Sequence, residues 1–374
     1  MNRKIMPALV GTLLAVAVLF AGCAGEQSDP TEPTQLTTLA PTDAPTEPTT
    51  EPATEPPTEA PTEPQPTNPL TGEVVEAPLT DRIVAVTINN VTPALPRYGI
   101  NEADLYFEMF VNDYATRGLA LYTNIREVKQ IGSVRSMRYN FTDIAVGYDA
   151  IVCHSGGSDS VLSDAKSSGA AHMNIDTSSR TSYSFRDSSR RAAGYAWEHC
   201  LFVNGAGVYE KAAKQGYRTT MQEDKDYGMT FVQDGTPAGG ETAQTVSLTF
   251  NHKGYTKNST FHYDAASGKY LFSQYGREMT DAASGKRESF TNVIVIMAVV
   301  TNKSASGNTY HVADLEGSGN GYYACGGKLI PITWERSGSK DTFTFRTADG
   351  AEVSLGVGNS YIGIAPTTSK ISWS

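Results

Sequence analysis

The chain has 374 residues, a formal net charge of −10, 39% hydrophobic residues and four cysteines. Arg3 and Lys4 contribute +2 at the start, and seven Glu with two Asp contribute −9 over residues 24–67, so the part from Asn68 onward carries only −3. A nearly neutral body excludes the broad basic surface that nucleic acid requires. The three cysteines after Cys23 are too few for a dense disulfide framework or a four-cysteine zinc site.

The first 23 residues have the three parts of an export signal: Arg3 and Lys4, an apolar run over 5–19, and the small pair Ala21 and Gly22 before Cys23. Phe20-Ala21-Gly22-Cys23 resembles a bacterial lipobox, in which the cysteine is acylated, with palmitate for example; Phe20 departs from the leucine usual there. Two or more acyl chains, at ~0.8 kcal/mol per buried CH₂, hold a protein on a bilayer. The sequence thus predicts a lipoprotein anchored to membrane lipid through Cys23, on the extracytoplasmic side of the cell membrane. An uncleaved transmembrane anchor is the alternative, and the apolar run is short of the ~20 residues that span a bilayer. Residues 24–67 are Thr, Pro and Glu repeats that cannot build a core, and they read as a disordered, semi-rigid tether.

The remainder reads as α+β. Residues 68–235 form an N-terminal α/β-type layer domain with a mixed sheet: strands over 83–88, 104–111 and 119–124, a helix over 141–146, a buried strand over 148–153 and a helix over 160–166. Residues 232–245 contain Gly235, Pro237, Gly239 and Gly240 with few apolar side chains, which marks a boundary. Residues 245–367 form a mostly antiparallel β domain, with strands over 246–250, 260–263, 269–274 and 292–300. Hairpins are predicted around Ala266-Ser267-Gly268 and around Ala348-Asp349-Gly350.

Chemistry-bearing residues concentrate in the first half. His154-Ser155-Gly156-Gly157-Ser158 lies between a strand and a helix start, where backbone N–H groups and the helix dipole favour an anion. The plain alternative is a tight turn with Ser158 or Asp159 as the helix cap. Arg135 and Arg138 stand three apart, Arg186 opens a second arginine-rich stretch, and Arg117 is a further member of the set. The planar guanidinium donates two parallel hydrogen bonds and so suits carboxylate or phosphate. Each arginine alone could equally bind a carbonyl or pair with an acid such as Asp104, Glu108 or Asp143.

An ordered series of motifs resembles the YerB-like lipoprotein family, which has a two-part domain of unknown function. The series runs through Asn68-Pro69-Leu70-Thr71-Gly72, Ile88-Asn89-Asn90, Ala103-Asp104, Glu108, Thr116-Arg117, Ile131 to Arg138, His154 to Ser158 and Arg186-Asp187. It continues in Asn292-Val293, Asp314 to Gly319, Gly327-Lys328 and Ile332-Thr333-Trp334. The resemblance implies an envelope lipoprotein and brings no catalytic residues with it. The family's Pro-His-Asn is replaced by Ala193-Gly194-Tyr195-Ala196-Trp197, and Ser133 stands where proline is usual.

Three functions compete. The first is a module binding an anionic cell-wall ligand through Arg117, Arg135, Arg138, Arg186, His154 and the loop Ser155, Gly156, Gly157 and Ser158. The second is a hydrolase or transferase on wall polymer, with His154 as general base, Ser155 or Ser158 as nucleophile, and Asp104, Glu108 or Asp187 in support. No familiar nucleophile motif accompanies it. The third is a protein-interaction scaffold using the nineteen tyrosines. No cofactor and no metal is predicted, because His154, His172 and His199 lack short ligand spacing.

Overall fold

The computed structural model describes residues 65–374 apart from 113, 114 and 306. The export signal, Cys23 and all but the last three residues of the tether lie outside the described residues.

Five strands of the first half are β1 (Val84–Ile88), β2 (Leu105–Asn112), β3 (Ala115–Tyr122), β4 (Ile151–His154) and β5 (His172–Asn174). Helices α1 (Tyr139–Gly147), α2 (Asp159–Ser167), α3 (Ser188–Ala192) and α4 (Gly205–Lys214) lie between or after them. The second half supplies β6 (Thr245–His252), β7 (Tyr255–Asp264), β8 (Lys269–Gln274), β9 (Asn292–Ala298), β10 (Gly317–Cys325), β11 (Lys328–Arg336), β12 (Ser360–Pro366) and β13 (Lys370–Trp373).

Among the described residues an eleven-stranded mixed sheet runs β11-β10-β9-β12-β2-β3-β1-β4-β5, with Glu241–Thr242 and Thr344–Arg346 added on β11. Strand β12 comes from the end of the chain and lies parallel between β9 and β2, so one sheet contains strands of both halves. Both β2 and β12 read as continuous buried runs, as central strands covered on two faces must. Alternate residues of β2 feed different cores. Phe107 packs with Phe141, Ile144 and Ile362 on the face carrying α1, whereas Tyr106 packs with Phe261, Phe272 and Tyr361. A second, antiparallel sheet, β13-β6-β7-β8, supplies Phe261 and Phe272 and covers that face, whereas Tyr361 comes from β12 of the first sheet.

The α+β architecture is as expected. The hairpin at 266–268 forms, pairing Asp264 with Lys269. The hairpin at 348–350 forms only in part: Arg346 bridges Glu352, but Thr344–Arg346 pairs with β11 and Ser354–Gly356 runs parallel to Thr230–Val232. Packing decides this, because Phe343 and Phe345 are buried beside Trp334 of β11, an outcome the turn residues do not encode. The glycine-rich stretch at 232–245 is pinned too: a Cβ on Gly235 would sit 2.1 Å from the Gly356 nitrogen, so only glycine allows the approach. Cys153, Cys200 and Cys325 are all buried and unpaired.

Candidate functional site

Thr116 and Arg117 are neighbours on β3 and therefore face opposite sides of the sheet. Thr116 Oγ1 donates to Glu108 at 2.6 Å, whereas Arg117 Nη1 donates to the Ser136 carbonyl at 2.7 Å. That carbonyl belongs to the loop over residues 133–138, which backbone bonds hold in place. Asn89 N–H donates to Ser133 O (2.9 Å), Arg135 N–H to Thr87 O (3.0 Å) and Met137 N–H to Gly156 O (3.0 Å). Ser155 N–H returns to Arg135 O at 2.9 Å, so the arginine loop and the His154 loop are zipped together. The Gly132–Ser133 peptide is cis.

With Met137 fully buried, Arg117, Arg135 and Arg138 form one neighbourhood of positive charge. Burial pushes the Arg117 pKa well down, and the charges of Arg138 and Arg135 add to the effect. Arg138 is pushed down to about 10, first by burial, with Tyr310 opposing and Arg135 adding. Its guanidinium carbon lies 5.5 Å from the Tyr310 ring centroid, and Nη1 donates to Met137 O at 2.7 Å. Arg135 is also lowered by burial, against the attraction of Glu198, whose Oε1 is 3.8 Å from Nη2. The Nε atoms of Arg135 and Arg138 are buried without a hydrogen-bond partner. Arg138 also begins α1, whose first turn carries no acid. The arrangement therefore offers three cationic side chains, of which only Arg135 faces a carboxylate, beside a positive helix end.

Other predicted residues are occupied. His154 Nδ1 lies 2.8 Å from the Gly156 carbonyl and must donate, leaving Nε2 to accept from His172 Nδ1 at 3.0 Å. Burial, opposed by the Gly156 hydrogen bond and reinforced by His172, pushes the His154 pKa down to about 4. Ser158 caps α2 by position only, and its hydroxyl pairs with Ser160 at 3.1 Å. In the loop, Gly156 N–H donates to Asn174 at 3.0 Å, while a Cβ on Gly157 would meet Leu162 at 3.0 Å. Arg186 donates to Thr177 O (3.0 Å) and Trp197 O (2.8 Å) and pairs with Asp176. Asp187 caps α3, accepting from Ser189 and Arg190 N–H, and Asp104 accepts from Asn68 and Thr123.

Sequence reasoning missed a buried polar web on the opposite face. Glu108 accepts from Asn90 (3.0 Å), Thr116, Gln274 (2.8 Å), Ser259 (3.2 Å) and Tyr361 (2.9 Å), and pairs with Lys257 at 3.2 Å. Burial raises the Glu108 pKa, but Lys257, Thr116 and their neighbours outweigh it and leave the carboxyl below its ordinary value. Burial pushes Lys257 down to about 8. Beside it Arg97 forms a fully buried pair with Glu288. A glutamate inside the apolar run Leu105-Tyr106-Phe107-Glu108-Met109-Phe110 was the available signal, since a buried charge needs partners.

These motifs are those of a two-part family of unknown function. The chain belongs to it: residues 70–218 match "Protein of unknown function (DUF3048) N-terminal domain" and residues 246–362 match the corresponding C-terminal domain. The resemblance read from the sequence is thus borne out. Of individual proteins, the chain is 25% identical over 299 residues to "Putative lipoprotein YerB" of Bacillus subtilis (strain 168), spanning 80% of this chain and 86% of that one. It shares its fold with the crystal structure of the Bacillus subtilis YerB protein, at a TM-score of 0.69 and 24% identity, covering 82% of this chain and 99% of that one. Among the described residues no helix is long and apolar enough to cross a membrane.

Proposed function

We propose that this chain is a lipid-anchored envelope module, tethered through Cys23 on the extracytoplasmic side, that binds an anionic component of the cell wall between Arg117, Arg135 and Arg138. One observation carries the reading: three guanidiniums crowd together, largely buried, with Glu198 as the one carboxylate paired to any of them among the described residues. Such an arrangement costs stability unless a ligand supplies the missing charge. The name of the Bacillus subtilis relative supports the anchor.

The hydrolase reading draws less support. Both ring nitrogens of His154 are engaged by Gly156 and His172, with no serine or carboxylate on the imidazole. The scaffold reading needs a broad exposed aromatic surface; no described tyrosine is exposed, and among the described Phe, Tyr and Trp residues Trp197 alone is exposed.

The test is calorimetric titration of the purified chain with polyglycerol phosphate and, separately, with muropeptides, each sample being analysed for cleavage. Binding that weakens with salt and falls about tenfold or more in Arg138→Met, with ligand intact, is the expected result. Cleavage lost in His154→Ala would restore the hydrolase, and absence of binding to either polymer would redirect attention to a protein partner.

A further inference from the structure

A shallow, open groove of about 480 Å³ lies between the turn at Thr92, Pro93 and Leu95 and the segment ending in Tyr195 and His199, with Arg277 from the second half among its lining residues. Its walls are braced. Arg190, itself 5% exposed, donates Nη1 to both Ala94 O (3.1 Å) and His199 O (2.8 Å), and Tyr195 OH donates to Leu95 O at 2.9 Å. The two sides are therefore held apart at a fixed spacing before any ligand arrives.

The chemistry inside is directional. His199 is 7% exposed, and its Nδ1 accepts from Asn89 Nδ2 at 2.9 Å, which leaves the ring proton on Nε2. Burial, reinforced by Arg135 and Arg190 and opposed by Glu198, keeps the imidazole neutral at pH 7. That Nε2–H donor has no hydrogen-bond partner among the described residues, and neither does the exposed Arg277 guanidinium. No Asp or Glu lines the groove, and Pro93, Leu95 and Tyr195 give it an apolar flank.

We infer that this groove is a second binding site, distinct from the arginine trio, for a single carboxylate on a small apolar body, such as the free C-terminus of a short alanine-rich peptide. One guanidinium and one neutral N–H donor balance one negative charge, whereas a phosphate dianion would remain under-neutralised. The volume is within the ~300–1,000 Å³ of small-molecule sites.

The experiment titrates the full chain with acetyl-Ala-Ala as the free acid and as its C-terminal amide, following heat of binding in parallel with a thermal melt of each variant. The acid is expected to bind at least about tenfold more tightly than the amide, and Arg277→Gln to remove about that factor. Arg277 is exposed, so its melt is expected to match the parent. His199→Gln, which keeps a donor, is expected to retain more affinity than His199→Leu. Arg138→Met is expected to leave peptide binding unchanged, which separates this site from the proposed wall-polymer site. Equal binding of acid and amide, indifference to Arg277→Gln, loss in Arg138→Met, or no binding of the acid at millimolar concentration would each overturn the inference.

Discussion

Replacing Arg138 by methionine keeps a long flexible stem against Tyr310 and removes the charge. Burial is the main reason the guanidinium is pushed from 12.5 down to about 10. A base whose pKa is depressed on folding destabilises the fold at every pH where the unfolded chain would carry its proton. At ~1.36 kcal/mol per unit the shift bounds the penalty near 3 kcal/mol, and partial contact with water reduces it to about 2. The variant also loses the Nη1 bond to Met137 O, a term of about 1 kcal/mol. The net expectation is a gain of about 1 kcal/mol, or a rise of roughly 0.3 M in the urea midpoint for a slope near 3 kcal/mol/M. Denaturation at unchanged slope, run beside the polymer titration, measures both quantities. A more stable protein that no longer binds polyanion is the signature of a charge kept for a ligand. Destabilisation by more than about 1 kcal/mol would refute the reasoning and make Arg138 a structural tie.

Two further outcomes follow from the buried groups. Glu108→Gln leaves Lys257 buried without its counterion and should cost about 3–5 kcal/mol, of which adding Lys257→Met should return a part; strictly additive effects in that double-mutant cycle would show that the pair is not coupled. His154, held near a pKa of about 4 against 6.5 when unfolded, contributes stability that is complete above pH 6.5 and is lost as pH falls toward 4, by about 3 kcal/mol in all. His154→Gln should therefore flatten the acid limb of urea midpoint against pH, and parallel limbs would contradict the assignment.

Much was legible without coordinates. The expectation of an export signal, an acylated Cys23 and a tether rests on composition and local pattern alone, and those residues lie outside the described ones. Continuous apolar runs announced β2 and β4, and period-two alternation announced β6 and β8. The motif series also carried the family, because order and spacing of short motifs survive where overall identity is low. The arginines themselves were visible in the sequence, and the structure has Arg186 donate to the Thr177 and Trp197 carbonyls.

The remainder depended on contacts far apart in the chain. Which arginines meet is decided by β3 and the 133–138 loop packing together, through Arg117 and Ser136 nineteen residues apart. That His154 faces His172 instead of a serine follows from β4 and β5 lying in parallel register. The joining of both halves by β12, and the fixing of Glu108 by Lys257, Gln274 and Tyr361, involve separations of well over a hundred residues. Local sequence determines which segments are strands and where charge is available, because propensity and periodicity act over a few residues. Which charges share a pocket is set by long-range strand order, which only the packed structure decides.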